Sequence, residues 1–237
     1  MGALIRTGPL THGGLESRPI LTDGLRRRLL QRRQASVELY WLPLGAGDAI
    51  PIVSWNGRIF EALVARHNHR TPLDLYHCAL VVRLDDDRFV IEMAPAWESS
   101  ASDRGVVCEG PVGLRCLRGV RLFRYEVRRW EGGVIQDAAV AVESPRLIST
   151  DLTRTQLLLN LLLSFPTATW GRDELATGEM WNSNSLIAWL LARSRHETDT
   201  IVPPARGRAP GWDAGLVVAK REPVETIAAR TKALVAG

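Results

Sequence analysis

The sequence predicts an α+β domain in which an antiparallel sheet packs against a buried helix. Three stretches carry that prediction. Residues 76–83 (Y-H-C-A-L-V-V-R) are apolar on both faces, as a central strand requires. They turn at Asp85-Asp86-Asp87 into residues 88–93 (R-F-V-I-E-M), which return antiparallel and stop at Pro95. Residues 181–191 (W-N-S-N-S-L-I-A-W-L-L) place two Asn-Ser pairs directly before an apolar run. Asn and Ser are preferred N-cap residues, because their side-chain oxygens accept from orphan backbone N–H groups. The run is apolar all round, so the helix is expected to be covered on most sides.

The remaining elements follow in chain order. Residues 1–35 mix Gly, Pro, Thr and Arg around a short helical candidate at 24–34. They hold seven arginines against Glu16 and Asp23, a surplus of five positive charges in a chain of net charge +4. The basicity therefore belongs to this stretch and the rest is close to neutral. Residues 1–36 are expected to form a basic, partly disordered arm that contacts an acidic partner, and residues 37–237 a single domain. Residues 37–42 (V-E-L-Y-W-L) read as a first strand ended by Pro43. Residues 59–66 have helical spacing after Asn56-Gly57. Residues 99–105 read as a polar loop, and 106–108 and 120–130 as further strands. Ser149-Thr150-Asp151 cap a helix running to about residue 164, with Pro166 behind it. A turn-rich loop then leads into the Asn-Ser helix. Residues 202–210 read as loop, 216–219 as a last short strand and 224–235 as a last helix.

Composition excludes several function classes. Three cysteines (Cys78, Cys108, Cys116) with no C-x-x-C make neither a disulfide framework nor a zinc ribbon. No apolar run reaches the ~18 residues that a membrane span needs, and the first residues lack a signal-peptide core, so the expected compartment is the cytoplasm. There is no P-loop, no G-x-G-x-x-G and no nucleic-acid motif. His67 and His69 diverge if residues 59–69 are helical, and no Cys or carboxylate completes a metal set. No cofactor and no metal are expected.

The candidate chemistry lies between the hairpin and the Asn-Ser helix. His77 stands at the start of the central strand, on the same strand face as Ala79 and Val81. Glu92 in the returning strand is expected opposite Ala79 or Leu80, within reach of His77. Ser183 presents a hydroxyl at a helix N-terminus, where N–H groups and the dipole favour negative charge. A hydroxyl, an imidazole and an orienting carboxylate are the parts of a nucleophile-activating triad. Ser185 is the rival serine. Read without catalysis, Ser183 is a cap and His77 a core histidine satisfied by Glu92.

At these residues the chain resembles the circularly permuted NlpC/P60 papain-like proteins, the group that includes the lecithin:retinol acyltransferase-like and PPPDE-type proteins. The order of a His-bearing strand, a hairpin with a polar residue, and a late helix is similar. Asn182-Ser183-Asn184-Ser185-Leu186 resembles the PPPDE motif Asn-Cys-Asn-x-Phe, with Ser in place of the nucleophilic Cys. The resemblance implies a permuted papain-like fold, a nucleophile at Ser183, a general base at His77 and a third polar residue at Glu92. It implies peptide or acyl-type substrates, with Trp181, Trp170, Asn182, Asn184 and Tyr76 lining the cleft. The substitution matters, because a thiol near pKa ~8.5 forms a thiolate beside His while a serine hydroxyl needs its proton removed during attack. Two functions follow. One is amide or ester hydrolysis, or acyl transfer, through a Ser/His/Glu site. The other is a catalytically inactive papain-like domain that serves as a binding or interaction module.

Overall fold

The computed structural model describes residues 34–44, 73–96, 104–205 and 207–221, all within one compact unit. Of the arm expected at 1–36, residues 1–33 lie outside the described residues, whereas Ala35 and Ser36 already belong to the first strand; all but the last residue of the helix expected at 24–34, the helices expected at 59–66 and 224–235, most of the loop at 99–105, and His67 and His69 also lie outside.

The chain is α+β, and its described residues are built on a seven-stranded sheet. Six strands run in the order β4-β5-β3-β2-β1-β6: β1 Ala35–Pro43, β2 Asp74–Leu84, β3 Asp87–Pro95, β4 Val106–Pro111, β5 Arg124–Glu131 and β6 Val142–Ser149. The pairings along this path are antiparallel. A two-residue strand, β7 (Gly207–Arg208), pairs parallel to the start of β2. The expected hairpin is present. Leu84 pairs with Asp87 across the turn at Asp85 and Asp86. Asp85 takes the left-handed backbone (φ 54°) that Asp tolerates in tight turns.

Three α-helices lie among the described residues. In α1 (Leu152–Leu161) the Asp151 carboxylate accepts from Arg154 N–H at 2.8 Å, as the Ser-Thr-Asp cap predicts. A 3₁₀ turn carries the segment on to Ser164. α2 (Ser183–Arg193) is the Asn-Ser helix, and every residue from Ser183 to Leu191 is buried. It packs on β2, β3, α1 and α3 (Trp212–Arg221). The main core lies between the sheet and these helices. β1 sends in Val37, Leu39 and Trp41, β2 sends Tyr76, Cys78, Leu80 and Val82, β3 sends Ile91 and Met93, and β5 sends Tyr125 and Val127. Each large apolar side chain that α2 buries there contributes about 2 kcal/mol.

Three expectations change. Residues 120–130 are not one strand: Arg121–Phe123 forms a 3₁₀ turn, and β5 begins at Arg124. Residues 216–219, expected as a strand, lie inside α3, where Ala214, Gly215, Val218 and Ala219 are buried at helical spacing against α2. Four apolar residues in a row carry no period that separates strand from helix. Strand β6 was not anticipated, because Pro145 interrupts its pattern. An edge position tolerates the proline. Where the β1–β6 register slips between Leu39 and Trp41, the Ser144 hydroxyl accepts from Trp41 N–H at 2.8 Å and replaces a ladder bond.

Candidate functional site

The start of α2 is organised by Asn182. Its side-chain oxygen accepts from the N–H groups of Asn184 (2.9 Å) and Ser185 (3.3 Å), and Ser185 Oγ accepts in return from Asn182 N–H at 3.1 Å. This is a reciprocal capping box with Ser at the third helical position. The same residues tie down the turn before α3. Asn182 Nδ2 donates to the Pro210 carbonyl at 2.7 Å, Asn184 Nδ2 donates to the carbonyls of Pro210 (2.9 Å) and Tyr76 (3.0 Å), and the Ser185 hydroxyl donates to the Gly211 carbonyl at 2.7 Å. Gly211 N–H is held by the Glu179 carboxylate at 2.8 Å. Gly211 has φ 85°, and a Cβ there would meet Asn182 Oδ1 at 2.5 Å and Met180 O at 2.6 Å. Only glycine fits this turn.

Ser183 stands apart from that network. It is buried (6% exposed), and among the described residues neither its hydroxyl nor its N–H has a hydrogen-bond partner. The decisive relation is to His77. Leu42 pairs directly with His77, so the two side chains share a face. Leu42 belongs with Ala79, Val81, Val90 and Ile135 in a second apolar cluster, separate from the main core. α2 belongs to the main core, with Tyr76 and Cys78 on the other face. The imidazole of His77 and the helix bearing Ser183 therefore lie on opposite faces of the sheet.

Glu92 does share a face with His77. The β2–β3 register runs to Leu80↔Ile91, which places Glu92 one step on, level with Ala79, the first of the two positions expected for it. Its carboxylate is engaged elsewhere: Oε1 accepts from Arg128 Nη1 at 3.0 Å. Among the described residues no hydrogen bond reaches the His77 ring. Burial alone pushes its pKa from 6.5 down to about 4. The structure thus brings His77 and Glu92 to one face and leaves Ser183 on the other, so the three do not form a triad.

The residues expected to line a cleft fill core positions. Trp181 (1% exposed) stacks on Phe165 with ring centroids 5.2 Å apart, and Trp170 meets Tyr125 edge-on at 5.9 Å. Tyr76 is buried against Gly207, and Asn182 and Asn184 hold the α2–α3 joint. Among the described residues no group of three or more His, Cys, Asp or Glu side chains is placed to hold a metal ion.

Sequence reasoning missed the residues that dominate the second face. Arg128 is 2% exposed. Its Nε donates to Glu126 Oε2 at 3.0 Å, and its Nη2 donates to the Pro95 carbonyl at 3.3 Å, beside the contact with Glu92. Glu126 is also buried, so one guanidinium is sandwiched between two carboxylates. The signal was present in Tyr125-Glu126-Val127-Arg128, which alternates apolar and charged. Such alternation normally marks a wet outer face.

No family model matches the chain, and no curated protein or solved structure matches it either. No helix among the described residues is long and apolar enough to cross a membrane.

Proposed function

We propose that the chain is a non-catalytic binding module on the permuted papain-like plan. The order of elements supports the plan: a His-bearing strand, a hairpin, and a late Asn-capped helix packed on the sheet. One observation carries the non-catalytic reading, the separation of Ser183 from His77 by the sheet itself. A hydrolase or acyltransferase needs the base within hydrogen-bond reach of the nucleophile. The Ser183 hydroxyl instead has no hydrogen-bond partner among the described residues, and Glu92 is committed to Arg128. The neighbouring Asn182, Asn184 and Ser185 spend their polar groups on the joint between α2 and α3.

The test replaces Ser183 with the thiol that the resembled proteins carry. The rate of alkylation of Ser183→Cys is followed against pH, alone and with His77→Ala. The expected thiol titrates near or above ~8.5, as a buried cysteine does, and ignores the second substitution. A low-pKa thiolate that disappears with His77→Ala overturns the proposal. So does labelling of the native chain by a fluorophosphonate that Ser183→Ala abolishes.

A further inference from the structure

The excursion between β4 and β5 is closed at its neck, where Val112 N–H donates to the Phe123 carbonyl at 2.8 Å. Inside the neck the chain makes two 3₁₀ turns, Arg115–Gly119 and Arg121–Phe123. Further bonds fix the excursion to the body. Gly113 N–H donates to Trp170 O at 3.0 Å, Arg172 Nε donates to Gly113 O at 2.8 Å, and Arg121 Nε donates to Ala96 O at 3.1 Å. It is a compact surface loop with a pinned base.

Leu114, Val120 and Leu122 are 48%, 52% and 54% exposed. Single exposed apolar residues need no explanation, but three within nine residues of one pinned loop do. The same span holds Arg115, Arg118 and Arg121 and no carboxylate. The Arg115 side chain is 75% exposed, and its Nε lies 3.9 Å from Glu174 Oε1. That carboxylate already accepts from the Thr169 N–H and hydroxyl.

We propose that this loop docks the protein on an anionic phospholipid bilayer, an inference that rests on the reading of the chain as a binding module. Leu114, Val120 and Leu122 enter the boundary between headgroups and acyl chains, while the exposed Arg115 meets the lipid phosphates. Charge complementarity selects an anionic surface, and the three apolar side chains select a bilayer. An acidic protein segment engages the arginines but leaves those side chains wet.

The full chain is sedimented with vesicles of phosphatidylcholine, with and without phosphatidylserine. It is expected to bind the anionic vesicles. Leu114→Ser, Val120→Ser and Leu122→Ser together reduce binding about tenfold, and Arg115→Glu alone reduces it about threefold, with urea unfolding unchanged in both variants. Absence of vesicle binding overturns the proposal. So does binding that survives the triple substitution, which assigns it to charge alone, including the arginines of residues 1–35. Capture by polyglutamate in place of vesicles overturns it in favour of an acidic protein partner. The thiol titration of Ser183→Cys is blind to the loop, so failure of this proposal and failure of the non-catalytic reading are separately visible.

Discussion

On the face that meets α2, strand β2 contributes Tyr76, Cys78, Leu80 and Val82, and β3 contributes Ile91 and Met93. On the opposite face the same two strands contribute His77, Ala79, Val81, Val90 and Glu92, joined from β5 by Glu126 and Arg128 and from β1 by Glu38. One face is a nearly unbroken apolar surface under an apolar helix. The other mixes a small apolar cluster with ion pairs: Glu92–Arg128–Glu126, and Glu38–Arg83 at 2.6 Å. The comparison teaches how much hangs on strand parity. A side chain moved one residue along a strand changes face, and with it every possible partner. His77 is adjacent in sequence to Tyr76 and Cys78, which pack on the helix side, yet it belongs to the other side.

The largest expected effect breaks the charged face. Arg128→Met leaves two carboxylates facing each other without a cation. Removing one partner from a buried ionic cluster costs about 3–5 kcal/mol, read as a lower urea midpoint. Adding Glu92→Gln and Glu126→Gln to Arg128→Met should recover a large part of that loss. If the single variant is as stable as the native chain, the two faces do not differ in the way described.

The next effect sharpens the comparison through pH. The His77 pKa is held down to about 4 by burial, against 6.5 in its ordinary state. The unfolded chain therefore binds this proton more readily than the folded one. The contribution of neutral His77 is fully present above pH 6.5 and is lost as pH falls from 6.5 toward 4. Because the side chain is half-buried, roughly 2 kcal/mol is expected over that window. His77→Gln should flatten this part of the stability profile measured by urea unfolding. His196 shifts in the same direction, by burial first and then by Arg154, and its slope remains in the variant.

The smallest effect separates two serines on the helix face. Ser185 both accepts from Asn182 N–H and donates to Gly211 O, so Ser185→Ala is expected to cost about 1–3 kcal/mol. Ser183 has no hydrogen-bond partner among the described residues, so Ser183→Ala is expected within about 0.5 kcal/mol of the native chain. Equal losses in thermal unfolding would show that the hydroxyl of Ser183 has a structural role of its own.

Much of the fold was legible because its signals are local. The hairpin was marked by two apolar runs around three aspartates. The caps of α1 and α2 were marked by Asp151 and Asn182, each bonding N–H groups only two or three residues away. The candidate site was legible only in its parts. The sequence places His77 on one strand face with Ala79 and Glu92 opposite Ala79 or Leu80, and the strand register decides for Ala79. The rest depended on contacts across long separations. Pro210 and Gly211 hold α2 from 26 to 28 residues away, and nothing in residues 202–210 announces it. Strand β6 and helix α3 were hidden by a proline in one case and by a four-residue apolar run in the other.

By itself, then, the sequence determined the hairpin, the capped helices, and the arginine surplus of residues 1–35. Each of these follows from neighbours within a few residues or from side-chain period. Which face of the sheet α2 covers was decided only by the tertiary structure. That choice is a sum over β1, β2, β3 and β5 at once. An apolar helix takes the face where all four strands present apolar side chains, and it leaves His77, Glu92, Glu126 and Arg128 to the other.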